Sequence, residues 1–304
     1  MLSILIPVYN QLIEQIVKDL HQQLSVEAID FEIIISDDAS DEDIHQKNKQ
    51  LTNYQGVKYF RHEENIGRAR SRNFLSAQAQ YPYLIMIDCD AAMVDMQYIH
   101  RYLQEIEKQQ ENENFVLLGG VAYHQNPPEH DFYLRWKYGK AREEIAPEIR
   151  NAQPYRSFTP FNLLITKSLF NIICFDESLV KYGNEDTLFG IELKKHQIKT
   201  IHIHNPLYHE GLDRNEVFFE KIKTGISNLI QLIDEKKIGD EFIEENRLLS
   251  VHLFLKNAHI LPIILLFYDL FKSYIEKRIL KRFNLQLLDY YKLGYFEELS
   301  SERK

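Results

Sequence analysis

Two carboxylates close a short apolar run in the stretch YLIMIDCDAA, where Asp88 and Asp90 follow four apolar residues. A run that short, ended by charge, is typical of a buried central strand reaching its C-terminal end. Because side chains alternate along a strand, we expect Asp88 and Asp90 to point to one side and Cys89 into the packing. Ligands of open α/β sheets bind beyond the carboxyl ends of the strands. Two like charges there need a positive partner, and a divalent cation is the simplest candidate.

A second acidic pair, Asp37-Asp38, follows an apolar run at residues 33–35. Aspartate is a preferred N-cap residue, so capping of the next helix is one interpretation of the pair. A cap needs one aspartate rather than two after an apolar strand. We therefore favour a ligand contact for Asp38.

An anion site is predicted where Gly67 precedes a helical stretch that carries Arg68, Arg70 and Arg72. A glycine and a helix N-terminus beside arginines suit a nucleotide diphosphate. A solvated basic face is the alternative. Arg68 and Arg72 are four residues apart and share a face. We favour Arg68 as the phosphate contact because it lies nearest the start of the helix.

A third acidic pair, Glu185-Asp186, follows Gly183-Asn184 and precedes another helical stretch. Both acids suit the first turn of a helix, where the helix dipole favours negative charge. A carboxylate in this place could instead accept a proton from a substrate hydroxyl. Both interpretations stay open on the residues alone.

Histidines and aromatic residues are further candidates for metal binding and for contacts with sugars. His202 and His204 are two apart and share a strand face, a spacing that could form a metal pair. Residues 132–140 interleave aromatic side chains, Trp136 among them, with arginine and lysine. Aromatic faces stack on sugar rings and cations hold phosphates, although core packing is the simpler interpretation for at least half of these rings.

Alternating strands and helices must position these side chains. Apolar runs at residues 2–8, 33–35, 57–63 and 83–90 are separated by helical stretches, which predicts right-handed βαβ units and a parallel sheet. Further strands are expected over residues 114–124, with a break at Gly119-Gly120, and over residues 200–211. From Asn215 onward the apolar residues follow helical spacing. We therefore predict an α/β domain over residues 1–214 and a helical extension over residues 215–304.

Composition narrows the class of protein. The chain has 304 residues, 44% of them hydrophobic, and a formal charge of −9, which argues against nucleic acid as the main partner. Two distant cysteines without a CxxC pattern predict neither a disulfide framework nor a structural zinc site, and indicate a reducing, cytoplasmic location. The apolar start of the chain lacks the basic region of a signal peptide. No run of about 20 apolar residues predicts a spanning helix.

Five motifs in this order resemble the signature of glycosyltransferase family 2: ILIPVYN, IIISDDAS, NIGRARSRN, MIDCDA and GNEDTLFG, over residues 2–211. The resemblance is nearest to bacterial enzymes of cell-surface polysaccharide synthesis. It implies a GT-A fold, with a mostly parallel sheet flanked by helices, plus the C-terminal helical extension. It also implies an inverting, metal-dependent transfer from a nucleotide-sugar, a UDP-sugar in our prediction, to a saccharide or lipid-linked acceptor.

The resemblance assigns roles to the donor-binding residues. Pro7 and Tyr9 would frame the base, and Asp38 would accept a hydrogen bond from the ring N–H of the base. Arg68 would bind the diphosphate. Asp88 would contact the ribose or the metal.

The resemblance also implies the metal ligands and the base of the reaction. In the DxD element, Asp90 would ligate Mn²⁺ or Mg²⁺, and His209 in the segment LYHEG would be a further ligand. Asp186 would be the general base that deprotonates the acceptor hydroxyl. Glu185 and Trp136 would contact the acceptor or the donor sugar.

Membrane contact is one interpretation of the C-terminal stretch LPIILLFYDLFKSYIEKRILKRFN, which is apolar first and cationic afterwards. An ordinary core helix or a dimer contact would have the same pattern. With a cytoplasmic location, this contact would be at the inner face of the membrane.

Three other functions are compatible with an α/β sheet of this kind. A nucleotidylyltransferase would have a Gly-rich, basic first turn, which PVYNQL lacks, and a dinucleotide dehydrogenase would have GxGxxG after the first strand. A scaffold that binds nucleotide-sugars or carbohydrate without catalysis is the remaining alternative. The presence of Asp88, Asp90 and Asp186 together argues against it.

Overall fold

The apolar runs of the sequence form strands of one large sheet. The computed structural model of the chain describes residues 1–110, 113–156, 158–177, 185–235 and 239–302. The strands are β1 (Leu2–Val8), β2 (Phe31–Asp37), β3 (Val57–Arg61), β4 (Tyr83–Ile87), β5 (Ala91–Met93), β6 (Phe115–Leu118), β7 (Val121–Ala122), β8 (Asn162–Thr166), β9 (Lys199–His202) and β10 (Leu207–His209).

Helices alternate with the first strands and dominate the C-terminal part. Two short 3₁₀ turns, Gln50–Asn53 and His130–Phe132, accompany them. The helices are α1 (Glu14–Val26), α2 (Glu42–Lys49), α3 (Arg68–Gln78), α4 (Tyr98–Glu107), α5 (Tyr133–Arg142), α6 (Pro147–Asn151), α7 (Lys167–Phe170), α8 (Glu185–Lys195), α9 (Asn215–Asp234), α10 (Asp240–Glu245), α11 (Arg247–Asn257), α12 (Leu261–Arg282) and α13 (Leu285–Glu302).

The large sheet has the strand order β3-β2-β1-β4-β8-β6-β9. The first four strands are parallel to one another, as the βαβ series predicts. β8 runs antiparallel to both β4 and β6, so the whole sheet is mixed. The central strands are buried on both faces, and their near-continuous apolar sequences satisfy that environment. The carboxyl ends of β1, β2 and β4 consequently lie along one edge of the sheet.

Two segments that we predicted as single strands are each divided between two sheets. β6 and β9 belong to the large sheet, whereas β7 and β10 belong to a three-stranded sheet in which β10 lies between β5 and β7. Gly120 interrupts the first segment with a φ of +95°, a conformation that favours glycine. The buried side chain of Asn162 joins both breaks, because its amide donates to the carbonyls of Gly120 at 3.0 Å and Asn205 at 2.8 Å.

The described chain divides into two compact units. The first contains residues 1–124, 143–177 and 192–211, and the second contains residues 125–142, 185–191 and 212–302. The division near residue 212 lies close to the boundary predicted from the sequence, but α5 and the start of α8 also group with the C-terminal helices. In the second unit, α9, α12 and α13 share a core that contains Phe219, Tyr268 and Tyr291. The functional boundary between domains stays a prediction.

One pair of described helices has the length and apolar composition of a membrane span. Taken one at a time, none of the described helices is both long and apolar enough to cross a bilayer. α11 and α12 meet the requirement together, with a 116° bend between their axes.

Candidate active site

The ends of β1 and β2 are fastened to each other by side chains. The backbone N–H of Asn10 donates to Ser40 Oγ at 2.9 Å, and Asn10 Oδ1 accepts from the backbone N–H of Asp41 at 2.7 Å. Asn10 has a φ of +50°, which asparagine tolerates better than most residues. These contacts hold the loop after β1 against the loop after β2. In the first of these segments Pro7 is half-buried and Tyr9 is exposed.

Asp38 fastens the loop before α3 to the end of β2. Its carboxylate accepts the backbone N–H groups of Ile66 at 2.6 Å and Gly67 at 3.0 Å. Gly67 has a φ of +85°, and a Cβ added there would meet no atom within 4 Å. The loop that leads into α3, which begins at Arg68, is therefore held in place, and the space beside Gly67 is open. The contact of Asp38 with a nucleotide base stays a prediction.

Asp88 is held by Arg72. The Arg72 side chain is 2% exposed. Its guanidinium donates to Asp88 Oδ1 at 2.7 Å and lies over the ring of Phe175, 5.1 Å from its centroid. Burial raises the pKa of Asp88, but the charges of Arg72 and Arg68 and the hydrogen bond outweigh it, so the pKa lies below its ordinary value. Asp88 is thus a fixed anion. Arg72 lies one turn after Arg68 on the same helix face. The phosphate contact that we predicted for Arg68 stays a prediction.

Asp90 lies beside His209. Asp90 Oδ2 and His209 Nε2 are 3.7 Å apart. The pairing of β10 with β5 brings them together, because His209 is opposite Ala91 and the N–H of Glu210 donates to the Asp90 carbonyl at 2.8 Å. Burial raises the pKa of Asp90, and the charge of Asp88 adds to the rise, while His209 opposes it.

The imidazole of His209 is oriented by two aromatic rings. It stacks on Tyr123 with 5.7 Å between centroids and on Phe161 with 5.4 Å. Gly211 completes this corner, since a Cβ there would lie only 2.7 Å from the Cβ of Asp90. We did not anticipate Gly211, although its place two residues after His209 in LYHEG was visible.

The local structure of the DxD element differs from our expectation. β4 ends at Ile87, and a turn closed by the Ala91 N–H on the Asp88 carbonyl, at 3.1 Å, carries both acids. Strand alternation therefore does not position them. Cys89 packs against the core as expected, and burial with the two neighbouring carboxylates raises the pKa of its thiol to about 12. The thiol is consequently neutral and an unsuitable nucleophile.

The donor set fits a hard divalent cation that also has phosphate ligands. Among the described residues, no group of three or more His, Cys, Asp or Glu side chains could hold a metal ion. Asp90 and His209 form a pair of oxygen and nitrogen donors. Mg²⁺ and its analogues are commonly held by one or two protein groups together with substrate phosphates and water, so two donors suffice. Asp88 is engaged by Arg72 and would contribute mainly its charge.

The other predicted residues lie in the second unit. Glu185 and Asp186 form the first turn of α8 and are half-buried. Trp136 is half-buried on α5 and packs on Tyr133 with 5.2 Å between ring centroids. The preceding Gly183-Asn184 lies outside the described residues. The roles of all three side chains stay predictions.

His202 has a structural role instead of a metal one. Its Nδ1 accepts from Arg150 at 2.8 Å and its Nε2–H donates to the Pro154 carbonyl at 2.8 Å, so both ring nitrogens are used. Burial, with the charge of Arg150, lowers its pKa to about 4. His204, its partner in the metal pair that we considered, is exposed.

The sequence of this chain is similar to those of known glycosyltransferases and polysaccharide synthases. The model of glycosyl transferase family 2 matches residues 3–171. A chondroitin synthase of Escherichia coli is 25% identical over 225 residues, covering 63% of this chain and 32% of that protein. A hyaluronan synthase of Pasteurella multocida is 25% identical over 194 residues, covering 54% of this chain and 19% of that protein. The chain thus spans a third or less of these two relatives.

Comparison with solved structures concerns the fold. TarS of S. aureus, in complex with UDP, has a TM-score of 0.53 at 17% identity, covering 100% of this chain and 92% of that one. The mannosyltransferase PcManGT of Pyrobaculum calidifontis, in complex with GDP-Man and Mn²⁺, has a TM-score of 0.61 at 12% identity, covering 100% and 87%. These likenesses confirm the predicted GT-A fold.

Proposed function

Because the chain belongs to glycosyl transferase family 2, we propose that it transfers a sugar from a nucleotide-sugar to an acceptor hydroxyl, with inversion at the anomeric carbon. One observation carries the proposal: Asp88, held by Arg72, and Asp90, beside His209, stand on one turn at the carboxyl edge of the sheet. An anion held by an arginine, next to a second carboxylate beside a histidine, suits a ligand that combines a diphosphate with a cation.

The donor that we propose is a UDP-sugar. TarS has been solved with UDP and with UDP-GlcNAc, which supports a uridine nucleotide, while PcManGT holds GDP-Man. Pro7 and Tyr9 would frame the base, and Arg68 would bind the diphosphate at the start of α3. Asp38 would accept the ring N–H of the base. A carboxylate has about four acceptor sites, so the two backbone N–H groups it already binds leave room for this contact.

The cofactor that we propose is Mn²⁺ or Mg²⁺, held by Asp90 and His209 together with donor phosphates. Such an ion stabilises the negative charge that develops on a departing nucleoside diphosphate. Asp88 would contact the ribose or support the ion electrostatically. The stacking of His209 between Tyr123 and Phe161 reduces its freedom, so it would be ready to bind without reorientation.

Asp186 is the general base that we propose. It would accept the proton of the acceptor hydroxyl as the hydroxyl oxygen attacks the anomeric carbon and the bond to the diphosphate breaks. A single displacement of this kind inverts the configuration. Glu185 and Trp136 would contact the acceptor or the donor sugar, since carboxylates bind hydroxyls and indole rings stack on sugars.

The acceptor that we propose is a saccharide or a lipid-linked glycan in the synthesis of a bacterial surface polysaccharide. The names of the matched chondroitin and hyaluronan synthases support a polysaccharide product. We also propose a cytoplasmic location, at the inner face of the membrane, with contact through the C-terminal helices.

Incubation with UDP-sugars, Mn²⁺ and glycan acceptors, with release of UDP as the readout, tests the activity. Asp186→Asn should keep UDP affinity and lose at least about a hundredfold in turnover, the usual contribution of a general base. Glu192→Gln, a half-buried acid on the same helix, is the matched control and should retain activity. A fully active Asp186→Asn would overturn the base assignment. Absence of UDP release with every donor would favour the non-catalytic scaffold.

A further inference from the structure

One face of α12 is apolar and exposed. Six large apolar side chains, here called the α12 face, recur at helical spacing and are 50–66% exposed. They are Ile263, Leu266, Phe267, Leu270, Phe271 and Tyr274. Single exposed apolar residues are common in proteins, but a continuous stripe of six marks a surface that contacts something else.

The opposite face of α12 is already packed. Leu261, Tyr268, Ile275 and Ile279 are all buried, and three of them belong to the core shared with α13. α12 is therefore held on the second unit along its whole length. Only the exposed α12 face is therefore accessible to an apolar partner.

The apolar stripe ends in cations. Lys277, Arg278, Lys281 and Arg282 follow Tyr274 in the last turns of α12, and all four are exposed. α12 contains five Lys or Arg and two Asp or Glu, a net charge of +3, within a chain of net charge −9. Positive charge is thus concentrated next to the apolar stripe of an acidic protein. An apolar face with adjoining lysines and arginines is the pattern of helices that lie on anionic lipid.

We propose that the α12 face docks on an anionic lipid bilayer. The six apolar side chains would enter the boundary between headgroups and acyl chains, and the four cations would bind lipid phosphates. Phe254, 68% exposed on α11, and Ile260, 44% exposed at the bend, extend the apolar surface to the neighbouring helix. This inference deepens the membrane contact included in the proposed function by naming its residues, and it needs neither donor nor metal.

Co-sedimentation of the full chain with lipid vesicles tests the apolar contribution. Vesicles of phosphatidylcholine with about one third phosphatidylglycerol should retain the protein, and vesicles of phosphatidylcholine alone should retain much less. Replacing three residues of the α12 face by serine should abolish binding, while the matched control replaces three equally exposed apolar residues of the first unit and should bind normally. The test variant is Leu266→Ser, Phe267→Ser, Leu270→Ser, and the control is Val26→Ser, Ile149→Ser, Ile172→Ser.

A second pair of variants tests the cations. Each lysine or arginine near an anionic surface contributes about fivefold to binding, so removal of three should weaken partitioning on the order of a hundredfold. Removal of three exposed lysines elsewhere should have little effect, and added salt should weaken the binding of the wild type and of this control more than that of the test variant. The test variant is Lys277→Gln, Arg278→Gln, Lys281→Gln, and the control is Lys47→Gln, Lys49→Gln, Lys108→Gln.

Circular dichroism and size-exclusion chromatography with light scattering complete the design. Unchanged spectra show that each variant is folded. Failure of the wild type to sediment with phosphatidylglycerol vesicles would overturn the proposal. So would a wild-type dimer that the serine variant dissociates, because a second copy would then cover the α12 face. UDP release is measured separately, so loss of one proposal leaves the other standing.

Discussion

The substitution Arg72→Met would remove the guanidinium that holds Asp88 and keep most of the apolar stem. Arg72 is 2% exposed, Asp88 is 21% exposed, and their ion pair measures 2.7 Å. Removal of one partner of a buried pair costs about 3–5 kcal/mol, because the other charge is left behind. Asp88 keeps some contact with water and the charge of Arg68. We therefore expect the free energy of unfolding to fall by roughly 2–3 kcal/mol.

A double-mutant cycle isolates the ion pair from other effects of the substitution. Asp88→Asn leaves the buried Arg72 charge facing an amide, so it too should destabilise the fold. The variant with both changes should be about 2 kcal/mol more stable than the sum of the two single losses implies. Urea unfolding followed by circular dichroism supplies the four free energies. A coupling energy below about 0.5 kcal/mol would refute the view that this pair anchors Asp88.

Acidification checks the same pair independently. In the wild type the pKa of Asp88 is depressed, so the pair stabilises the fold above the ordinary carboxyl pKa and this stability is lost as the pH falls through the folded-state pKa. In Arg72→Met the burial remains without its compensating charge, and the pKa of Asp88 should rise. Protonation of Asp88 then removes the unpaired buried charge from the variant. The difference in free energy of unfolding between the wild type and the variant should therefore shrink from about pH 7 to about pH 4. A deficit that is independent of pH would contradict this reasoning.

Three further predictions concern other residues. The pKa of His202 is about 4 in the fold against an ordinary 6.5, so the unfolded chain binds the extra proton between these values and stability falls as the pH is lowered through them, by up to roughly 3 kcal/mol. His202→Gln should remove most of this acid sensitivity in urea titrations at several pH values. Gly211→Ala should displace Asp90 and weaken Mn²⁺-dependent UDP binding at least about tenfold by calorimetry, the effect of losing roughly 1.4 kcal/mol. Gly67→Ala, at a φ of +85°, should lower stability by about 1–2 kcal/mol in thermal melts, whereas Gly225→Ala inside α9 should raise it slightly.

The central strands of the sheet could be predicted because each is recognisable from its own local sequence. Continuous apolar runs ended by polar residues define β1, β2 and β4 whatever surrounds them. The divided strands carry no such signal. Asn162, on β8, bonds to the carbonyls of Gly120 and Asn205, and this long-range contact joins the points at which the two segments pass to the small sheet. A local pattern cannot contain it.

The positions of Asp88 and Asp90 at the edge of the sheet could be predicted from the sequence. The contacts of the arginines and histidines could be predicted less well. Strand ends locate carboxylates directly, because the edge of a sheet follows from its strands. The contact of Arg72 with Asp88 depends on how α3 is rotated against the sheet, and residue spacing does not specify that rotation. Residue spacing alone does not separate His202 from His209; only the resemblance of LYHEG to the family singled out His209. Their difference arises from tertiary neighbours, since one ring meets Arg150 and the other stacks between Tyr123 and Phe161.

The pKa values of the two acids of the DxD turn are shifted in opposite directions. This difference affects which of them binds a metal ion. Asp88 is compensated inside the protein, because Arg72 donates to it and lowers its pKa. Asp90 has His209 at 3.7 Å and the charge of Arg68, but burial and the charge of Asp88 outweigh both, so its pKa is raised. A carboxylate whose ionised form is unfavourable gains most from an external cation, whereas an already paired one gains least. The protein thus supplies one fixed anion and one under-compensated anion on a single turn. That asymmetry favours Asp90 over Asp88 as the ligand of a metal ion.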